Sequence, residues 1–267
     1  MNNIWKTNDI KARKLLNNCV IMGYEINEIS ENVIIGEAYY LITQSKLDYI
    51  LYIPEEVSNI TDNSKFRHVR GTLRVYGGEG LTSINGLFEK LILNELDLTN
   101  FNTSNCRRMN LVFMNSYIKD IKFGKNWNMS KVENAESLFF DLNNHIFNND
   151  KYKIKIDLDL RDWDVRHIKS LRRMFSALGV KSLNISNWKI GMYSYIDDML
   201  ADIKADTLDI SNMSLRWLNS DKIFGTHSIM ALHTEIKRLI ISKEDFESDN
   251  MSKALKILGC APEIILK

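Results

Sequence analysis

Four closely spaced aspartates, Asp157, Asp159, Asp162 and Asp164, are the first candidates for chemistry in the sequence. Carboxylates in such a run suggest a calcium loop, because Ca²⁺ prefers oxygen ligands. An EF-hand loop also needs a glycine at its sharp turn and a glutamate that binds through both oxygens, and this segment has neither. Asp157 and Asp159 also flank Leu158 in the alternation typical of a strand. We therefore expect a strand here and no metal site.

The other possible nucleophiles, bases and metal ligands are scattered along the chain. No histidine stands in an H-E-x-x-H motif or beside cysteines at metal-binding spacing, and no Ser-His-Asp or Cys-His arrangement can be assigned. Residues 77–80 are glycine-rich but lack the Gly-Lys-Ser/Thr continuation of a phosphate-binding loop, so they predict a turn. The sequence thus predicts a protein that is not an enzyme and uses no cofactor. The residues considered are His68, His145, His167, His227, His233, Cys19, Cys106 and Cys260.

A phrase of alternating apolar residues recurs along the chain, as LDLRDW at 158, LNISNW at 183 and LDISNM at 208. A second apolar pair follows every phrase except the last, at residues 87–88, 112–113, 138–139, 174–175, 199–200 and 223–224. Two patterns that recur together at a fixed period indicate a solenoid of stacked coils. The phrases begin at Leu73, Leu96, Ile121, Leu158, Leu183, Leu208 and Leu239.

Each repeat predicts one coil of a single curved parallel sheet. The alternating phrase predicts a short strand, and the Asn and Ser residues after it predict a turn. The i, i+4 spacing of Met109 and Phe113 predicts a short helix that returns to the next strand. Large apolar residues at each corner are interpreted as a stacked structural ladder rather than a ligand-binding row. They are Phe101, Trp127, Trp163, Trp188 and Met213.

The unit LDLTNFNTSN, which begins at residue 96 and is followed by VF at residues 112–113, is similar to a known repeat. It resembles the L-D-L-S-x-F-x-T-S-x-V-x-x-M-x-x-M-F unit of the BspA-like bacterial leucine-rich repeat family, a 25-residue surface-protein repeat. Asp159, Trp163, Met174 and Phe175 match the same positions, and the resemblance extends over about residues 73–241. It implies a leucine-rich-repeat-like solenoid that binds macromolecules, and it transfers no catalytic residue.

Three regions are predicted. Residues 1–66 form an α+β N-terminal cap, with an amphipathic helix at 7–22 and strands at 33–35, 37–43 and 47–53; a small recognition domain is the alternative. Residues 67–241 form about seven coils, interrupted by insertions at 142–153 and 226–235, and the last strand lies at 239–241. Residues 242–267 form a helical C-terminal cap that begins at Ser242 and is terminated by Gly259 and Pro262.

Composition and charge limit which cellular compartment and which type of partner are expected. The formal net charge of +1 favours neither a nucleic-acid coat nor an acidic tail. The N-terminus has no basic head followed by an apolar run, and no stretch of 18 apolar residues is present. Three scattered cysteines fit a reduced compartment. We therefore expect a cytoplasmic protein with no membrane partner. Abundant Asn, Ile and Lys with only two prolines suggest a bacterial or phage origin.

The outward positions of the strands predict a surface that could bind a partner. They hold an acidic stripe, although Asp97, Asp159 and Asp209 could instead accept hydrogen bonds within turns. The leading hypothesis is a protein-binding module that docks a basic partner on this stripe, as a phage or mobile-element inhibitor of a nucleic-acid-handling protein. The stripe comprises Glu95, Asp97, Asp120, Asp157, Asp159 and Asp209.

Two other functions remain open. One is nucleic-acid binding through a basic ridge on the helical return, with Trp and Tyr side chains stacking on bases. The other is a bacterial surface adhesin, as many members of the resembled family are. The ridge comprises Arg107, Arg108, Lys169, Arg172 and Arg173.

Overall fold

The computed structural model describes residues 33–35, 39–60, 63–144, 156–213, 234–249, 251, 255 and 260–267. The predicted helix at 7–22, the apolar pair at 223–224, most of the predicted helix after residue 250, and His145, His227 and His233 lie outside these residues. In the described part of the chain, no helix has the length and apolar character needed to cross a membrane.

The described residues form a solenoid whose strands pair in parallel from β3 onward, preceded by two antiparallel pairs. The strands are β1 (Val33–Ile35), β2 (Tyr40–Ser45), β3 (Asp48–Ile53), β4 (Thr72–Gly77), β5 (Ile92–Leu93), β6 (Glu95–Phe101), β7 (Tyr117–Ile118), β8 (Ile121–Phe123), β9 (Asp157–Asp159), β10 (Gly179–Asn184), β11 (Lys204–Asp209), β12 (Glu235–Ile241) and β13 (Glu263–Leu266). Six strands lie in the order β1-β2-β3-β4-β6-β8, five in the order β13-β12-β11-β10-β9, and β5 pairs with β7. All seven predicted strand positions lie in strands, which confirms the repeat.

Strand register places the inward side chains of successive coils in contact. Leu183 pairs with Leu158 on one side and with Leu208 on the other, and Leu208 pairs with Leu239. These leucines are buried, whereas Asp157 and Asp159 are exposed. The period-2 pattern therefore indicates a sheet with one face in the core. This face stabilises the fold, because burial of apolar surface is the main favourable contribution to folding.

In the described coils that follow β4, β6, β8, β9 and β10, the return segment is a run of turns, so the predicted short helix is wrong there. The N–H groups of Met109, Leu111 and Phe113 donate to carbonyls of the next coil, at 2.9, 3.1 and 2.9 Å, instead of to residues four positions earlier. Directly after these donors, the N–H of Met114 closes a turn on the carbonyl of Leu111 at 3.1 Å. This alternation between bonds to the next coil and bonds that close turns needs left-handed backbone at regular points, such as φ 61° at Leu111 and φ 53° at Arg173. We call the stack of these turn segments, which includes residues 109–114, the turn limb.

Aromatic rings form a continuous column beside the turn limb. Phe88, Phe113, Phe139 and Phe175 stack in succession, with centroids 5.8, 5.0 and 5.5 Å apart. Trp127 and Trp163 stack at 6.0 Å, and Phe175 contacts Trp188 at 5.8 Å. Of the predicted ladder residues, Trp127 and Trp163 stack on each other and Trp188 contacts the phenylalanine column, so the ladder is confirmed in part. The column and the turn limb also connect the coils on either side of the gap between β8 and β9, since the N–H of Phe139 donates to the carbonyl of Met174 at 2.9 Å.

Both described ends differ in detail from the expectations. The strands β1, β2 and β3 are antiparallel, and the turn between β2 and β3 lies at residues 46–47, slightly later than predicted. At the other end a short helix, α1 (Lys243–Phe246), follows β12, and its N-cap is Ser242 as predicted. Residues 239–241 are not the last strand, however, because β13 adds to β12 in parallel.

The glycine-rich segment after β4 forms the expected turn. Gly77 and Gly78 have φ of 82° and 95°, in the left-handed region that favours glycine. A Cβ atom at Gly78 would lie 2.6 Å from the ring of Phe101. Glycine is therefore needed here for backbone conformation and for close packing between neighbouring coils.

Candidate functional site

The acidic side chains of the sheet face lie beside cations. Lys122 Nζ donates to Glu95 at 2.7 Å and lies 4.0 Å from Asp120. The hydrogen bond to Glu95 is the main reason why the pKa of Lys122 is raised. On the first sheet the predicted acidic stripe is thus interleaved with lysine, and Arg74 also pairs with Asp48 on the same face.

The carboxylates of β9 are paired in the same way. Asp157 accepts a hydrogen bond from Ser182 at 2.5 Å and pairs with Lys181 at 3.0 Å, and both contacts lower its pKa. The guanidinium of Arg161 binds Asp159 and lowers the pKa of that carboxyl. These two aspartates therefore keep their charge while a neighbouring cation offsets it.

The aspartate that follows the first leucine of the repeat closes a turn. Asp97 accepts hydrogen bonds from the N–H and hydroxyl of Thr99 at 2.9 and 2.6 Å, and Asp209 accepts the same pair from Ser211 at 3.0 and 2.6 Å. Aspartate and asparagine are suited to this role because a short polar side chain reaches the backbone N–H two residues on. The turn interpretation is therefore confirmed for Asp97 and Asp209, and Asp159 contacts the N–H of Arg161 more weakly, at 3.4 Å.

Asp209 does not lie on an exposed stripe, and its predicted exposure is wrong. The residue is 5% exposed, because Lys267 beside β13 covers it and donates to its carboxylate at 2.6 Å. Burial alone would raise the pKa of Asp209, but the hydrogen bonds from Lys267 and Ser211 outweigh it and lower the pKa. Asp209 therefore holds the C-terminal strand in place and has little surface to offer a partner.

The five residues of the predicted basic ridge are all exposed but lie on two sides of the solenoid. Arg172 and Arg173 are on the turn limb, where Arg173 lies 3.5 Å from Asp198. Arg107, Arg108 and Lys169 lie on the side that precedes the turn limb in each coil. The predicted helix does not exist to align them, so the ridge is divided between these two sides.

We define the basic side as residues 102–108, 124–134, 161–170 and 186–195, the segments between each strand and the turn limb. Bridges from Arg108 to Asn134, from Asn134 to Ser170 and from Ser170 to Tyr195 place these segments next to one another. Eight exposed cations lie on it, against the three acidic residues Glu133, Asp162 and Asp164. The cations are Arg107, Arg108, Lys125, Lys131, Arg161, Arg166, Lys169 and Lys189.

Three large apolar side chains project from the last segment of the basic side. Met192, Tyr193 and Tyr195 are 77%, 89% and 67% exposed, and we call them the aromatic patch. The N–H of Tyr195 donates to the carbonyl of Lys169 at 2.8 Å, so the patch adjoins the neighbouring basic segment. Sequence reasoning missed it. The available signal was register, because Tyr195 occupies a bridge row that otherwise contains polar residues: Asn59, Ser83, Arg108, Asn134 and Ser170.

The remaining candidates for chemistry are dispersed. Within the described residues, no group of three or more histidine, cysteine, aspartate or glutamate side chains is placed to hold a metal ion. Cys106 is buried, and burial raises the pKa of its thiol to about 12. His68 and His167 are exposed. Asp164 pairs with Arg166 at 2.8 Å, which lowers the pKa of Asp164 to about 2.

The repeated part of the chain matches a known protein family. Residues 58–157 and 143–230 match the family described as "Mycoplasma protein of unknown function, DUF285", and together they span more than half of the chain. The chain belongs to this family. The matched region contains strands β4 to β11, so the family pattern coincides with the repeated coils. No curated protein and no solved structure matches the chain.

Proposed function

We propose that the protein is a non-catalytic binding protein that recognises another protein through the basic side of its solenoid. The observation that carries the proposal is the aromatic patch: three large side chains stand in solvent in a coil that buries Trp188 almost completely. Exposed apolar side chains that are grouped together are typical of interaction sites in folded proteins.

The chemistry of the patch and its surroundings supports a protein partner. Tyrosine, methionine and arginine are enriched in protein interfaces, and tyrosine and arginine dominate their binding energy. The patch combines two tyrosines and a methionine, with Lys169 on the neighbouring segment. The resemblance to the BspA-like repeat family supports the same class of function, because it implies a solenoid that binds macromolecules.

The sheet face is the weaker candidate. Its exposed carboxylates have cationic or hydroxyl partners, and short-range pairing reduces the field that a basic partner would experience. Docking on Glu95, Asp120, Asp157 and Asp159 stays a prediction. The cytoplasmic location and the role as a phage or mobile-element inhibitor also stay predictions.

A capture experiment with matched variants tests the proposal. Immobilised protein is incubated with cell extract after nuclease treatment, and bound proteins are quantified by mass spectrometry. The patch variant carries Met192→Ser, Tyr193→Ser and Tyr195→Ser, and the control carries Glu95→Lys, Asp120→Lys and Asp157→Lys. Thermal unfolding first verifies that each variant is folded.

We expect the patch variant to lose specifically bound proteins by about tenfold, which corresponds to roughly 1.4 kcal/mol of binding energy. The control should retain them. Equal capture by the patch variant and the wild type would show that the patch is not the binding site. Loss confined to the control would transfer the function to the sheet face.

A further inference from the structure

The distribution of charge on the basic side indicates which kind of partner this surface fits. This inference rests on the proposed function, in which the basic side is the binding surface. Some of its cations are already paired. Glu133 lies between Arg107 and Lys169, at 2.9 and 2.6 Å, and both contacts lower the pKa of Glu133. Arg166 is held by Asp164 at 2.8 Å. These cations are partly neutralised within the protein.

Other cations on the same side have no such counter-charge. Within the described part of the chain, Arg108, Lys125 and Lys189 form no ion pair, and each is exposed. They belong to three different segments of the basic side. An exposed cation without an acidic neighbour attracts anionic groups of a partner more strongly than one that is already paired.

The stacking of the coils places the four segments side by side, and we call the surface across them the track. Arg108 lies in the row of bridged residues, whereas Lys125 and Lys189 lie nine and six residues before the bridged residues of their segments. Neighbouring parallel strands lie about 4.8 Å apart, so four successive segments span roughly 14 Å. An extended polypeptide rises about 3.3 Å per residue and therefore crosses this distance with four or five residues. Successive side chains alternate in direction, so two or three of them would face the protein. The aromatic patch lies at the end of the track formed by residues 186–195.

We propose that the basic side binds an acidic, extended segment of a protein partner, with one or two carboxylates among Arg108, Lys125 and Lys189 and a large apolar side chain on the aromatic patch. Glu133, Asp162 and Asp164 lie among the cations and favour a peptide over a nucleic acid. A peptide can place neutral residues opposite these acids, whereas an evenly charged phosphate backbone cannot. The exposed thioether of Met192 also favours an apolar side chain, since methionine adapts its shape to apolar partners.

Selection from a random library of displayed 12-residue peptides tests this assignment and does not require the natural partner to be identified first. The wild-type protein is the target, and a variant with Tyr193→Ser and Tyr195→Ser is used for counter-selection. We expect enriched peptides to be rich in Asp and Glu and to contain at least one large apolar residue. Enrichment of basic or uncharged peptides, or no enrichment that depends on the two tyrosines, would overturn the proposal.

The strongest selected peptide is then synthesised with a fluorescent label, and its binding is followed by anisotropy. The variant Arg108→Glu plus Lys189→Glu should raise the Kd at least about tenfold, and added salt should weaken binding to the wild type. A control with Lys237→Glu plus Lys243→Glu changes the same number of charges elsewhere and should leave the Kd within about twofold. An equal effect of both double variants would show that only overall charge matters, and it would overturn the assignment of the binding site.

A 12-nucleotide oligothymidine serves as competitor. Displacement of the peptide at lower concentration than unlabelled peptide requires would assign the track to nucleic acid and overturn the acidic-peptide proposal. The two proposals fail separately. If patch-dependent capture from extract persists while selected peptides are not acidic, the binding side stands and only the acidic partner is rejected.

Discussion

The rings of Phe113 and Phe139 lie face to face, with centroids 5.0 Å apart and planes 13° from parallel. Both side chains are fully buried, and each belongs to a different coil. Similar stacking continues from Phe139 to Phe175 at 5.5 Å. Each ring therefore supports the next coil, which explains how a chain of short strands maintains a continuous core.

Removal of one ring from this column should be costly. Phe139→Ala creates a cavity between two rings, and we expect the free energy of unfolding to fall by about 3 to 5 kcal/mol. Phe140→Ala is the matched control, because Phe140 is only partly buried and should cost about 1 kcal/mol. Urea denaturation followed by circular dichroism measures both. Similar losses for the two variants would contradict the column as the main support of the coil.

The turn limb predicts an unusual response at Leu111, which has a φ of 61°. Asparagine tolerates left-handed backbone, so Leu111→Asn should leave stability unchanged within about 0.5 kcal/mol, whereas Leu111→Val should lose about 1 to 2 kcal/mol. A helix would give a different result, since both replacements have similar helix propensity. Thermal unfolding of the two variants distinguishes the structures, and equal stabilities would argue against the turn limb.

Asn143 joins two coils through its side chain. Its amide accepts from the N–H of Ile118 at 2.8 Å and donates to the carbonyl of Ile118 at 2.9 Å. Asn143→Gly keeps the left-handed φ of 59° but removes both bonds, so we expect a loss of about 1 to 3 kcal/mol. Asn115→Gly is the control, because Asn115 has a φ of 54° and its side chain forms no hydrogen bond among the described residues. A loss of the same size at Asn115 would contradict the role of the Asn143 side chain.

Asp209 makes stability depend on pH. Its folded pKa lies below the value of about 3.9 expected for an unfolded aspartate, so its stabilising effect is fully present above that pH. The effect is lost as pH falls through the folded pKa. We expect Asp209→Asn to cost about 1 to 3 kcal/mol at pH 7 and less at pH 3. Urea unfolding at both pH values provides the measurement, and a cost that does not change with pH would contradict the ion pair with Lys267.

The strand positions could be predicted because alternation reports burial directly. Leu158 and Leu183 are inward in the sequence pattern and buried in the structure. The turn limb could not be predicted in the same way. The spacing of Met109 and Phe113 fits one face of a helix and also fits the turn limb, and nothing about Leu111 signals a left-handed residue. Local propensity is a weak guide where hydrogen bonds to the next coil determine the conformation.

The candidate site was harder to predict than the fold. Five of the six acidic residues lie in strands, as predicted, but some of their partners come from other coils, such as Lys122 for Glu95 and Lys181 for Asp157. The exposure of Asp209 was mispredicted because β13 was not anticipated. Tyr195 could have been found by aligning each coil at the same register, where an aromatic residue replaces Ser170 and Asn134.

Site-specific crosslinking tests the central claim most directly, that the basic side with its aromatic patch binds the partner. A photoreactive phenylalanine analogue is placed at Tyr193 in one protein and at Thr207, on the sheet face, in another. Both are irradiated in nuclease-treated cell extract, and the crosslinked proteins are identified and quantified by mass spectrometry. We expect a defined crosslinked protein from position 193 that is weak or absent from position 207. A crosslink from position 207 with none from position 193 would contradict this claim.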